Sequence, residues 1–104
     1  MKPFNFEKKD ELLSKGNVVV VFSSEHCPSC KLLKEELGRV NIPDEIDLYN
    51  VDITNNKGRE FAISCRIMSI PVVVLFKDGK EIERFVGYKR KEHIEEAFAK
   101  LISL

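Results

Sequence analysis

Residues Val18-Val19-Val20-Val21-Phe22-Ser23-Ser24-Glu25-His26-Cys27-Pro28-Ser29-Cys30-Lys31-Leu32-Leu33-Lys34-Glu35-Glu36-Leu37 join two different patterns. The first part is β-branched and apolar, as suits a strand buried on both faces. The second opens on Cys27-Pro28-Ser29-Cys30 and continues as a helix. Its Leu33 and Leu37, four apart, face inward, while Lys31, Lys34 and Glu35 face water. Two thiols separated by two residues at a strand-to-helix junction can meet in one turn and exchange electrons as a disulfide. The helix start offers free backbone N–H groups and the positive end of its dipole to the first sulfur. Both favour thiolate, the form that attacks disulfides. Redox chemistry is therefore the starting hypothesis.

Size and composition narrow the alternatives. A chain of 104 residues is expected to form a single domain over residues 1–104, burying roughly 60–70% of its unfolded surface without staples. Hydrophobic residues make up 43% and charged residues 33%, an ordinary globular balance. Seventeen basic residues offset seventeen acidic ones, so no net field points to nucleic acid or an anionic membrane. Three cysteines are too few for a secreted disulfide scaffold. The apolar runs are strand-length, far below the roughly 20 residues of a membrane span. Met1 to Asp10 lacks the apolar stretch of a signal peptide, and a cytoplasmic location is the expectation.

The remaining elements follow from periodicity and punctuation. Asn5 to Lys15 reads as a short helix stopped by Gly16, and Glu45 to Ile53 as a second strand. Asn55 to Cys65 can form a helix, weakened near its start by Gly58. Val72 to Phe76 and Glu81 to Val86 read as strands flanking Asp78-Gly79, a tight-hairpin signal. Ile94, Ala97, Phe98, Leu101 and Ile102 then mark one face of a closing helix. The order is αβαβαββα. It predicts an α/β fold with a mixed central sheet, a parallel βαβ half plus an antiparallel C-terminal hairpin, covered by helices on both faces.

This order, with the cysteine pair opening the second helix, resembles the thioredoxin family. Ile70-Pro71 stands directly before a strand, where that family carries a cis-proline opposite the cysteines. Phe76-Lys77-Asp78-Gly79-Lys80 looks like the family's Phe-Lys-x-Gly hairpin, and Gly87 follows the last strand, where the family keeps a glycine. Val51-Asp52 also fits. The likeness covers about residues 5 to 104.

The resemblance implies a protein disulfide oxidoreductase of cell redox homeostasis and electron transport. Cys27 would be the exposed nucleophile and Cys30 the buried resolving thiol. His26, Pro28, Ser29, Ile70, Pro71 and Gly87 would shape the substrate site. Pro71 would hold its peptide bond cis, leaving the backbone of Ile70 beside Cys27 to pair with an extended substrate segment. Gly87 would let a partner chain come close. Electrons would come from a flavoprotein thioredoxin reductase, with no bound cofactor or metal beyond the Cys27–Cys30 disulfide. The protein would act as a monomer on protein disulfides.

Departures from the family pattern are concentrated at the site. The usual buried Asp six residues before the first cysteine is Val21, the usual Trp before it is His26, and the usual Gly-Pro between the cysteines is Pro28-Ser29. Deprotonation of Cys30 is then left to water, Glu25, His26 or a substrate group. A protonated His26 would favour the Cys27 thiolate and a more oxidising disulfide; the plainer reading is a surface residue in place of an aromatic contact. Pro28 is similar to the first inner residue of glutaredoxins, but no Gly-Gly-x-x-Asp cradle follows Pro71. A glutaredoxin-like or more oxidising exchanger is one alternative function. A redox-gated binding module with poor turnover is another. Cys65 reads as a small core residue. Lys89-Arg90-Lys91 reads as a solvated helix start, His93 as exposed, and Ser23 and Ser24 as loop-shaping residues.

Overall fold

Five strands form one mixed sheet in the computed structural model, which describes residues 1–104. The elements are β1 (Lys2–Pro3), a 3₁₀ turn (Phe6–Lys8) leading into α1 (Lys9–Leu13), β2 (Asn17–Ser23), α2 (Pro28–Leu37), β3 (Ile46–Asp52), α3 (Asn56–Ser64), β4 (Val72–Lys77), β5 (Lys80–Val86) and α4 (Lys91–Ser103). Their order across the sheet is β1-β3-β2-β4-β5. Strands β1, β3 and β2 are parallel; β4 and β5 complete the sheet antiparallel. The thioredoxin-like architecture expected from the element order is the one observed.

The apolar run of β2 explains its central place. Val18 to Phe22 are all 0% exposed, as a strand covered on both faces requires. Alternate residues serve different cores. Val19 and Val21 pack with Leu33 and Leu37 of α2 and with Ile94, Phe98 and Leu101 of α4. Val18, Val20 and Phe22 pack with Phe61 and Ala62 of α3, with Leu12 and Leu13 of α1 at the margin. Two helices thus cover each face.

The hairpin joining β4 to β5 turns at Asp78 (φ +49°) and Gly79 (φ +86°), the doubly left-handed geometry of a type I′ turn. Asp78 also ties the hairpin to the loop before β2. Its carboxylate accepts from Gly16 N (2.8 Å), and its own N–H donates to Gly16 O (2.9 Å).

Strand β1 was not foreseen. Two residues, one of them proline, carry no periodicity; their pairing with Tyr49 and Asn50 depends on the neighbouring Phe4, which stacks on Phe61 and meets Tyr49 edge-on. The expected helix over residues 5–15 is correspondingly shorter, because Asn5 caps a 3₁₀ turn by accepting from Glu7 N before α1 begins.

Candidate functional site

The site lies where β2 ends and α2 begins. Cys27 is the N-cap of α2, in an extended conformation, and its Sγ accepts a hydrogen bond from Cys30 N at 3.2 Å. Pro28 takes the first helical position, where a missing N–H costs nothing. Cys27 and Cys30 are joined as a disulfide, with Cα atoms 5.2 Å apart. The two sulfurs have different surroundings: Cys27 is half-buried, whereas Cys30 is 1% exposed. The Ser29 hydroxyl lies 3.5 Å from Cys27 Sγ, within reach to donate to it.

One other segment meets this sulfur, and a second is tied to that segment. Ile70 O lies 4.0 Å from Cys27 Sγ, and the Ile70–Pro71 peptide bond is cis. Pro71 O accepts from Gly87 N at 2.8 Å, next to the β4–β5 pair Val72↔Val86. Gly87 has φ +84°, and a Cβ built there would meet nothing within 4 Å. Its glycine character therefore answers to backbone conformation, not to crowding inside the chain. Ile70-Pro71, before β4, and Gly87, after β5, are joined in one ledge that meets Cys27 at Ile70. His26 and Pro28 are exposed, and the imidazole of His26 makes no hydrogen bond within the chain.

Below the disulfide the core is largely apolar. Val21 packs in a cluster with Leu33, Leu37, Leu48 and Val73, and its register partner on β3 is Asn50. Beyond it, one feature was misread from sequence. Ser23 is not a loop residue but the last residue of β2, 1% exposed, donating its hydroxyl to Asn50 Oδ1 at 2.8 Å. The inward alternation Val19, Val21, Ser23 was the available signal. Asp52, at the end of β3, accepts from both Thr54 N (2.9 Å) and Thr54 Oγ1 (2.7 Å). These bonds hold its carboxyl below the usual range, with a smaller contribution from the charge of Lys34.

A depression of about 450 Å³ adjoins Ile70 on the α3 side. It is lined by apolar side chains including Ile53, Ile63, Ile67 and Met68, with Arg59 at its edge. Met68 is 94% exposed. Nothing in the spacing of these residues announced a common surface, because they come from the turn after β3, from α3 and from the loop after it.

The remaining singled-out residues lie away from the disulfide. Cys65 is half-buried at the end of α3, not a full core residue, and burial pushes its thiol pKa up. Its carbonyl accepts from the Arg84 guanidinium at 2.8 Å. At the start of α4, Lys91 N donates to Glu36 Oε2 at 2.7 Å, while Arg90 and His93 are exposed. The His93 ring meets Phe85 edge-on. No three His, Cys, Asp or Glu side chains converge as metal ligands would, and no helix is long and apolar enough to cross a membrane.

The profile of the thioredoxin family matches residues 2–100. The chain belongs to the thioredoxin family. A thioredoxin of Chlamydia muridarum is 37% identical over 94 residues, covering 88% of this chain and 84% of that protein. A Chlamydia pneumoniae thioredoxin is 33% identical over 97 residues, covering 90% and 91%. The solved structure of Fasciola hepatica thioredoxin superposes with a TM-score of 0.76 at 27% identity, covering 90% of this chain and 88% of that one. With the disulfide-forming Cys27–Cys30 pair, membership of the thioredoxin family makes this chain a thiol–disulfide oxidoreductase.

Proposed function

We propose that the protein is a thioredoxin-type reductant of protein disulfides, acting in the cytoplasm as a monomeric single domain over residues 1–104. The observation that carries this reading is the asymmetry of the two sulfurs: Cys27 is accessible at the helix N-terminus, and Cys30 is buried behind it. In the reduced protein the Cys27 thiolate attacks one sulfur of a substrate disulfide. A Cys27–substrate bond forms, and the other substrate sulfur leaves with the electron pair and takes up a proton. The Cys30 thiol then gives up its proton, and its thiolate attacks Cys27 Sγ. The Cys27–Cys30 bond forms, the second substrate sulfur leaves as thiolate, and two electrons have passed to the substrate.

The ledge of Ile70, Pro71 and Gly87 suits an extended substrate strand, since the Ile70 backbone faces Cys27 Sγ. His26, Pro28 and Ser29 border the entry. A flavoprotein thioredoxin reductase drawing on a nicotinamide cofactor would restore the dithiol, and the domain itself would need no bound cofactor. The test is dithiothreitol-driven reduction of insulin disulfides by the natural protein and by Cys27→Ser. Fast reduction by the first and none by the second is the expected result. No reduction by either would overturn the reading of a general disulfide reductase.

A further inference from the structure

Cys30 must lose a proton in a site whose nearest core is apolar, and the polar pair Ser23–Asn50 lies on the sheet face that α2 covers with Cys30. Three observations place it there. Along α2, Cys30, Leu33 and Leu37 are the buried residues and share one face. Along β2, Val19 and Val21 point to that same face, and strand alternation sends Ser23 there too. The crossover from β2 to parallel β3 makes α2 run back along the strand. Leu33 and Leu37 therefore lie over Val19 and Val21, and Cys30 lies at the level of Ser23. Asn50 reaches the pair from β3 on the same side as Leu48, and it is only half-buried, so the pair connects the interior with solvent.

We propose that Ser23, held by Asn50, is a positioning residue for the resolving step, and that its hydroxyl stabilises the Cys30 thiolate as it forms. This rests on the assignment of Cys30 as the resolving thiol. A hydroxyl has one proton and two acceptor sites. With the disulfide closed, the proton is given to Asn50 Oδ1. In the mixed disulfide the oxygen can accept from the Cys30 thiol; when that proton passes to a solvent base, rotation about the C–O bond turns the hydroxyl into a donor to the thiolate. The thiolate then attacks Cys27 Sγ, and the substrate sulfur departs with the electron pair. A buried hydroxyl does this without the cost of holding a charge in the core.

The charged groups around Cys30 leave this role open. Glu25 and His26 precede the motif and are exposed; Lys31, Lys34 and Glu35 lie on the outer side of α2. Asp52 is committed to Thr54, which makes it a weak base. From β4, β5 and α4 this side of the sheet receives Val73, Phe85, Ile94 and Phe98. Its charged groups are Lys77, which donates to the Leu101 and Ile102 carbonyls opposite the start of β2, the Glu83–Lys100 pair, and the exposed His93 against Phe85.

The test is stopped-flow reaction of the reduced protein with Ellman's reagent. Its first release of thionitrobenzoate reports attack by Cys27, and its second reports resolution by Cys30. Ser23→Ala should lower the ratio of second to first rate at pH 7 about tenfold. It should also move the pH profile of the second phase about one unit upward, since one unit corresponds to a factor of ten. Ser23→Thr and Ser23→Val have the same shape and differ in the hydroxyl, so they decide the matter if the alanine variant folds poorly. Threonine should stay within about twofold of the natural ratio, and valine should behave as alanine. An unchanged profile in the alanine and valine variants, or equal losses in threonine and valine, would overturn the role of Ser23. Cys30→Ser separates the two levels: if it keeps the second phase, the assignment of Cys30 itself fails.

Discussion

Replacing Val21 by aspartate puts a carboxyl group where the family usually has one, but into surroundings built for a hydrocarbon. Val21 is 0% exposed in an apolar cluster with no charged member, and the nearest polar side chains on its face are Asn50, its register partner on β3, and Ser23. Ionising a carboxyl there is costly, so its pKa in the folded state should rise, by about 3 units or more for a fully buried group. The sign of the linkage follows. The unfolded chain releases its proton near pH 4, whereas the folded one keeps it until about pH 7. Between those values the folded state binds more protons, and stability falls as pH rises. At about 1.36 kcal/mol per unit, the loss between pH 4 and pH 7 is about 4 kcal/mol, to be set against the 5–15 kcal/mol typical of a domain. Urea unfolding of the natural protein and Val21→Asp at pH 4.5 and 7.5 measures the difference directly. The variant should lose several kcal/mol more at the higher pH. If both proteins respond to pH alike, the carboxylate is solvated in the fold, by Asn50 or by water, and the apolar reading of this interior fails. Where proton removal from Cys30 limits turnover, the same variant should speed disulfide release, because it adds a base on that side.

Other predictions concern packing and the exposed sulfur. A Cβ at Gly58 would sit 2.0 Å from Asp52 O and 3.0 Å from its carbonyl carbon, so α3 could not keep its place against β3. Gly58→Ala should cost at least about 2 kcal/mol and lower Tm by roughly 10 °C; a change within experimental error would contradict the close approach. Ser29→Ala removes a donor 3.5 Å from Cys27 Sγ. A hydrogen bond worth about 0.5–1 kcal/mol corresponds to a two- to fivefold slower alkylation of reduced Cys27 by iodoacetamide at pH 7. Equal or faster alkylation would show that the hydroxyl serves another partner.

Legibility in the sequence followed the range of the interactions. Strand β2 was readable because five adjacent residues are buried on both faces, and α2 because Leu33 and Leu37 repeat at helical spacing. The hairpin announced itself through Asp78-Gly79, whose left-handed angles few other pairs adopt at low cost. Strand β1 was hidden, since its pairing is decided by Phe4 packing on aromatic rings far along the chain. At the site, the cysteine pair was legible from its spacing at a strand-to-helix junction, while Ile70-Pro71 and Gly87 were singled out by resemblance to a family. The Ser23–Asn50 bond and the groove beside Ile70 were not, because each needs strands or helices that meet only in the folded chain. Cys65 shows the limit of residue-type tendencies: a thiol that is usually buried lies here half in solvent at a helix end.

The most direct test of the Cys27–Cys30 division of labour is covalent trapping. Reduced Cys30→Ser and Cys27→Ser are each incubated with a protein disulfide, quenched with acid and analysed by mass spectrometry. Cys30→Ser should accumulate a mixed disulfide at Cys27, because attack proceeds and resolution cannot, while Cys27→Ser should accumulate almost none. Equal trapping by both variants, or trapping through Cys30 alone, would contradict the assignment of Cys27 as nucleophile and Cys30 as the resolving thiol.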